Sequence, residues 1–138
     1  MILMKKAIRA AILVVAVCLM AVSCSKTASN TFALLGKWDL FRSDVTVDGH
    51  TETYYHEDEV YLEFHSGDEY IMTEMGRGGT ATITKGRWYV EDDTLTLTVA
   101  VGSPIVYHIE DTGLSRLVLS QTVDGSLFRY TFRAVSSY

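Results

Sequence analysis

The side chains whose types could do chemistry are few and poorly grouped. His50, His56, His65 and His108 are scattered along the chain, and His56 stands directly before Glu57, Asp58 and Glu59. That cluster binds a metal only if the fold carries further ligands to it; read as a run of charge, it is a solvated acidic turn. No nucleophile elbow, zinc-helix motif or phosphate loop is present. Gly76-Arg77-Gly78-Gly79 joins two extended segments and does not open a helix, so it lacks the free N–H groups that hold an anion. The chain therefore reads as non-enzymatic, with neither cofactor nor metal.

The remaining reactive group is the thiol of Cys24. Ahead of it stand a basic start (Lys5, Lys6, Arg9), an apolar segment (Ala10 to Val22) and the small residue Ser23, the three regions of a secretory signal. The uncharged run from Ala10 to Ser25 is 16 residues long, short of the roughly 20 that span a bilayer. Ala21-Val22-Ser23-Cys24 resembles a bacterial lipobox with alanine in place of the usual leucine. The resemblance implies cleavage before Cys24, diacylglycerol on its sulfur and an acylated amino group. Two or more acyl chains anchor stably where one does not. Ser25 and Lys26, with no acid directly after Cys24, resemble the sorting pattern that retains a lipoprotein in the outer membrane, facing the periplasm. Cys18 lies within the signal, so the mature chain keeps one cysteine and forms no internal disulfide.

These groups must be positioned by the rest of the chain, whose composition bounds its class. Loss of residues 1–23 lowers Lys plus Arg from 12 to 9 against 17 acids, a balance of −8 that excludes nucleic acid as a partner. Residues 24–32 read as the lipidated cysteine and a flexible tether, because Ser25 to Thr31 is small, polar and without periodicity. Residues 33–138 read as the folded domain. Val60, Leu62 and Phe64 alternate with Tyr61 and Glu63, and Leu95, Leu97 and Val99 alternate with threonines. Asp48-Gly49 and Asp124-Gly125 are hairpin turns. A bulge is expected near Lys85-Gly86, where the face pattern changes. About eight or nine strands with short turns form an antiparallel meander, which closes its edges best as a barrel.

Gly36-Lys37-Trp38, Leu62-Glu63-Phe64 with the Gly67 turn, Gly86-Arg87-Trp88 with Asp93-Thr94-Leu95-Thr96-Leu97, and Phe128-Arg129-Tyr130-Thr131-Phe132 together resemble the lipocalin-like domain common in Bacteroidetes lipoproteins. The resemblance covers residues 33 to 135 and implies an all-β, up-and-down barrel. It also implies that Trp38 packs across the closed end and makes Arg133 the candidate to stack upon it. Most lipocalins carry a helix after the barrel, and the 138-residue sequence leaves no room for one, which argues against a deep, roomy calyx.

Two functions are open to one set of inward aromatics. In the first, Trp88, Phe128, Tyr130 and Phe132 line the open end and hold a small hydrophobic or amphipathic molecule. In the second, the same residues fill the interior, since eight strands enclose a space just wide enough for side chains, and the barrel docks to another envelope component. An empty apolar volume of a few hundred Å³ distinguishes them.

Overall fold

The computed structural model describes residues 26–136; the signal segment and Cys24 lie outside the described residues. A short helix, α1 (26–34), leads into nine strands. They are β1 (Gly36–Val47), β2 (His50–Tyr55), β3 (Val60–Phe64), β4 (Glu69–Met75), β5 (Ala81–Glu91), β6 (Thr94–Thr98), β7 (Ile105–Thr112), β8 (Arg116–Val123) and β9 (Ser126–Ala134). Period-two alternation gives the barrel strands an apolar inner face, whereas β2 is exposed at every position. Leu62 and Phe64, Leu95 and Leu97, Leu117 and Leu119, and Phe132 come together as one core. Burying each such side chain contributes roughly 1.5–3 kcal/mol, and a one-residue slip would turn a whole strand's set to water.

Every pairing is antiparallel. β3 to β9 pair in sequence order, and β9 returns to β1, from Trp38↔Ala134 to Thr46↔Leu127. The other edge of β1 is shared: Gly36 to Asp39 pair with β3, and Arg42 to Val47 pair with β2. Eight strands (β1 and β3 to β9) thus close the barrel, and β2 extends one wall beyond it. Asp48 and Gly49 both adopt positive φ, as do Asp124 and Gly125, which suits two-residue turns to the twist of their hairpins.

Register shifts occur at two places, between Leu40 and Arg42 of β1 and between Ile109 and Asp111 of β7. The bulge expected at Gly86 is not among them, for Glu69 to Met75 pair in unbroken register with Arg87 to Ala81. Gly86 has a different task. A Cβ there would stand 2.7 Å from Cε1 of Tyr70 and would overlap the Thr98 carbonyl. The glycine is what lets the Tyr70 ring come this close to the β5 backbone.

Residues 26–34 correct the tether reading. Nine residues are too few to hold a helix in water by themselves, and α1 is fastened to the turn between β5 and β6. Lys26 Nζ lies 2.7 Å from Asp93 Oδ2, Asn30 Nδ2 donates to the Asp92 carbonyl at 2.6 Å, and the Asp92 N–H donates to Thr27 Oγ1 at 3.0 Å. Leu34 is fully buried beneath the barrel. The bonds that hold α1 come from polar side chains reaching 62 to 67 residues along the chain, so no local pattern announces them.

Candidate functional site

The barrel interior has two unlike halves. At the end closed by α1, the two tryptophans that follow Gly36 and Gly86 at the second position are both buried, and each indole N–H is satisfied by a backbone carbonyl. Trp38 Nε1 donates to Leu34 O at 2.9 Å, and Trp88 Nε1 donates to His65 O at 3.1 Å. Phe64 meets Trp88 edge-on, with centroids 4.9 Å apart. With Tyr70 laid over Gly86, this half is solid.

Above it is a cavity of about 270 Å³. Its apolar lining is Leu40, Leu62, Met72, Leu97, Leu119 and Phe132, with Val60 beside them, and its polar groups are Glu74, Tyr107 and Tyr130. Tyr107 and Tyr130 meet edge to face with centroids 6.1 Å apart. Burial pushes the Tyr107 phenol up to about 12, with the neighbouring phenols of Tyr130 and Tyr70 adding to the effect. Tyr107 therefore keeps its proton at neutral pH and offers an O–H donor. Tyr130 Oη accepts a hydrogen bond from Gln121 Nε2 at 3.1 Å. Glu74 puts a carboxylate on the same inward-facing series as Tyr70 and Met72, and among the described residues no Lys or Arg lines the cavity.

Of the four residues expected to line a pocket, the structure brings two to it. Tyr130 and Phe132 line the cavity; Phe128 does not, and stacks on Tyr130 with centroids 6.4 Å apart. Trp88, expected at the open end, is instead at the closed one, 2% exposed and bonded to the turn after β3. Arg133 does not stack on Trp38. Phe132 points inward, so its neighbour points outward, and the Arg133 guanidinium lies 4.4 Å from the Phe41 ring and 3.6 Å from Asp39 Oδ2 on the outer wall. Met72 and Glu74 escape sequence reasoning, because Glu69 to Met75 mixes polar and apolar residues on both faces. The signal that finds them is pairing: Leu62↔Met72 and Val60↔Glu74 put them beside residues already read as inward.

His56 is drawn into a chain of hydrogen bonds. Its Nε2 lies 2.9 Å from Ser43 Oγ and its Nδ1 lies 2.9 Å from Glu59 Oε2. This is the atom order that general-base activation of a serine uses. Ser43, however, is 9% exposed, and none of the three lines the cavity. The His56 N–H also donates to the Phe41 carbonyl at 2.8 Å. The set works as a strut that ties the β2–β3 junction to β1. Among the described residues no group of three or more His, Cys, Asp or Glu is placed to hold a metal ion.

Comparison with known proteins agrees with this architecture. A family model described as a lipocalin-like domain matches residues 34–119. The crystal structure of a lipocalin-like protein from Bacteroides uniformis superposes with a TM-score of 0.59 at 19% identity, covering 75% of this chain and 99% of that one. That of an uncharacterized protein from Bacteroides eggerthii superposes with a TM-score of 0.55 at 16% identity, covering 74% and 99%. At these identities the likeness is one of fold. No curated protein matches the chain.

Proposed function

Since the chain belongs to the lipocalin-like domain family, a fold that is generally non-catalytic, we propose that it is a lipid-anchored cell-envelope protein that binds one small amphipathic molecule in the upper half of its barrel. The observation that carries this reading is the cavity of about 270 Å³, apolar on most sides and supplied with two phenols and one carboxylate. Ligand sites have this composition, a greasy lining with a few polar groups that fix orientation. The volume lies just below the roughly 300–1,000 Å³ of most ligand pockets, which points to a small molecule. Glu74 repels a free carboxylate, and a lining without Lys or Arg offers such a group no partner. A neutral or cationic head with hydrogen-bond donors fits better than a fatty acid.

The anchor is Cys24 and the site of action the periplasmic side of an outer membrane, as the lipobox-like Ala21-Val22-Ser23-Cys24 and the residues after it imply. Cys24→Ser should abolish incorporation of labelled fatty acid; label that still enters that variant would refute the anchor.

For the pocket, the purified protein is titrated with long-chain alcohols, amines, fatty acids, sterols and small aromatics, and native mass spectrometry records any copurifying molecule. Saturable binding of an uncharged or cationic class is expected, together with its loss in Met72→Trp, where the larger side chain fills the cavity. Glu74→Gln should admit carboxylates. If no class binds and nothing copurifies, the ligand reading fails. The docking barrel then stands, and β2 favours it: among the described residues its outer edge is unpaired, and Tyr54 and Tyr55 are exposed.

A further inference from the structure

We infer that the closed end of the barrel seats on the bilayer surface, so that the mouth of the cavity faces away from the membrane and exchanges its ligand with the aqueous space. The inference rests on the Cys24 anchor proposed above. Cys24 stands two positions before Lys26, the first residue of α1. Two residues of extended chain span at most roughly 7 Å, so the lipid has almost no slack before it meets a docked element. Lys26, Thr27 and Asn30 bind α1 to the Asp92-Asp93 turn, which belongs to the closed end. A lipid on Cys24 therefore pulls that end, and no other, to the membrane.

The surface presented there suits the boundary of a bilayer. Phe32 of α1 is 78% exposed and Leu114, in the turn after β7, is fully exposed; both border one open groove beneath Trp38 and Phe64. Exposed aromatic and leucine side chains are groups that sink into a headgroup region. The walls of the barrel are unsuited to lipid. Exposed Ile83, Tyr89 and Val106 on them are interspersed with outward-facing Lys85, Arg87 and Glu110, and charges facing hydrocarbon are destabilising. The mouth also has an exposed apolar residue, Val101 at 90%, but it lies on the loop between β6 and β7, at the opposite end from α1.

This contrast supplies the test. The full-length protein is lipidated in cells, Cys24 is checked by mass, and Leu114→Cys and Val101→Cys variants are labelled separately with an environment-sensitive fluorophore. Both sites are exposed, so neither change should disturb folding. In vesicles of phosphatidylethanolamine with phosphatidylglycerol, the label at 114 should shift to the blue. It should also lose roughly half or more of its emission to doxyl lipids, since an interfacial apolar face sinks about 5–10 Å into the boundary. The label at 101 should stay in water. A lipidated protein whose label at 114 is no more quenched than that at 101 overturns the seating and leaves the anchor intact. An unmodified Cys24 overturns the anchor and the seating together.

Discussion

Trp38 shows how much one residue settles. Its indole is buried at the base of the barrel, and its only donor is used on the Leu34 carbonyl, so one side chain joins α1 to the first strand of the wall. Truncation of a buried aromatic costs about 3–5 kcal/mol, a large part of the roughly 5–15 kcal/mol that holds a small domain. Trp38→Ala should lower the urea midpoint sharply without changing the slope, and an unchanged midpoint would refute its role in closure. Asp39, next in sequence, points out yet is buried under its neighbours; among the described residues Oδ1 has no hydrogen-bond partner, and Arg133 stands 3.6 Å from Oδ2. Burial first, and then the Asp58 charge, raise its pKa above 3.8 against the opposing pull of Arg133. The folded state then holds the proton more tightly than the unfolded one, so stability falls as pH rises from about 4 through the raised value. Asp39→Asn should stabilise the protein at pH 7 and lose that advantage at pH 3, followed by urea unfolding at both; a variant less stable at pH 7 would show that the Arg133 pair outweighs burial.

Elements join where a backbone makes room or a side chain reaches across. β5 crosses the Tyr70 ring only because position 86 carries no Cβ. Gly86→Ala forces ring and wall apart and should cost about 1–3 kcal/mol, the usual penalty of overpacking, measurable as a lower Tm; a neutral outcome would mean that Tyr70 does not lie over that backbone. Helix α1 is the reverse case, an element with little reason to exist alone. Asn30→Ala removes the bond to the Asp92 carbonyl and should loosen α1 by about 0.5–1.5 kcal/mol, seen as faster amide exchange over residues 26–34 while exchange in β6 is unchanged. Equal acceleration in both would show instead that helix and barrel unfold as one unit.

At the scale of the whole molecule, a barrel solid below and hollow above couples binding to stability. A ligand that enters only the folded barrel adds RT ln(1 + [L]/Kd), about 2.7 kcal/mol at a hundred times Kd. The Tm of the wild type should therefore climb with concentration of a binding alcohol or amine. In Met72→Trp the unliganded Tm should be equal or higher, because the cavity is filled, and the climb should vanish. A climb that persists in that variant would place the ligand outside the cavity lined by Leu62, Leu97 and Phe132.

Much of this fold is legible in the order of residues. Alternation assigns Leu62, Phe64, Leu95 and Leu97 to the inner face, Asp-Gly pairs mark the hairpins at 48–49 and 124–125, and short connections pair neighbours in sequence at every step but one: β2 and β3 do not pair, and both lie against β1. The same parity puts Arg133 outside once Phe132 is inside. What alternation carries is a direction, in or out, and it is silent on height along the barrel axis. Height depends on the stagger with which strands close, a property of all eight pairings at once. That is why Trp88, expected at the mouth, stands at the base, and why Glu74, inward by pairing with Val60, is not visible in the sequence as part of a site. Whether inward aromatics fill a barrel or line a hollow is likewise a matter of volume. Tyr70 over Gly86 and two tryptophans fill one half, and the other half is left open because its layers carry leucines, Met72 and two tyrosines instead. Residue type determined the walls; closure alone decided where they meet and what space remains between them.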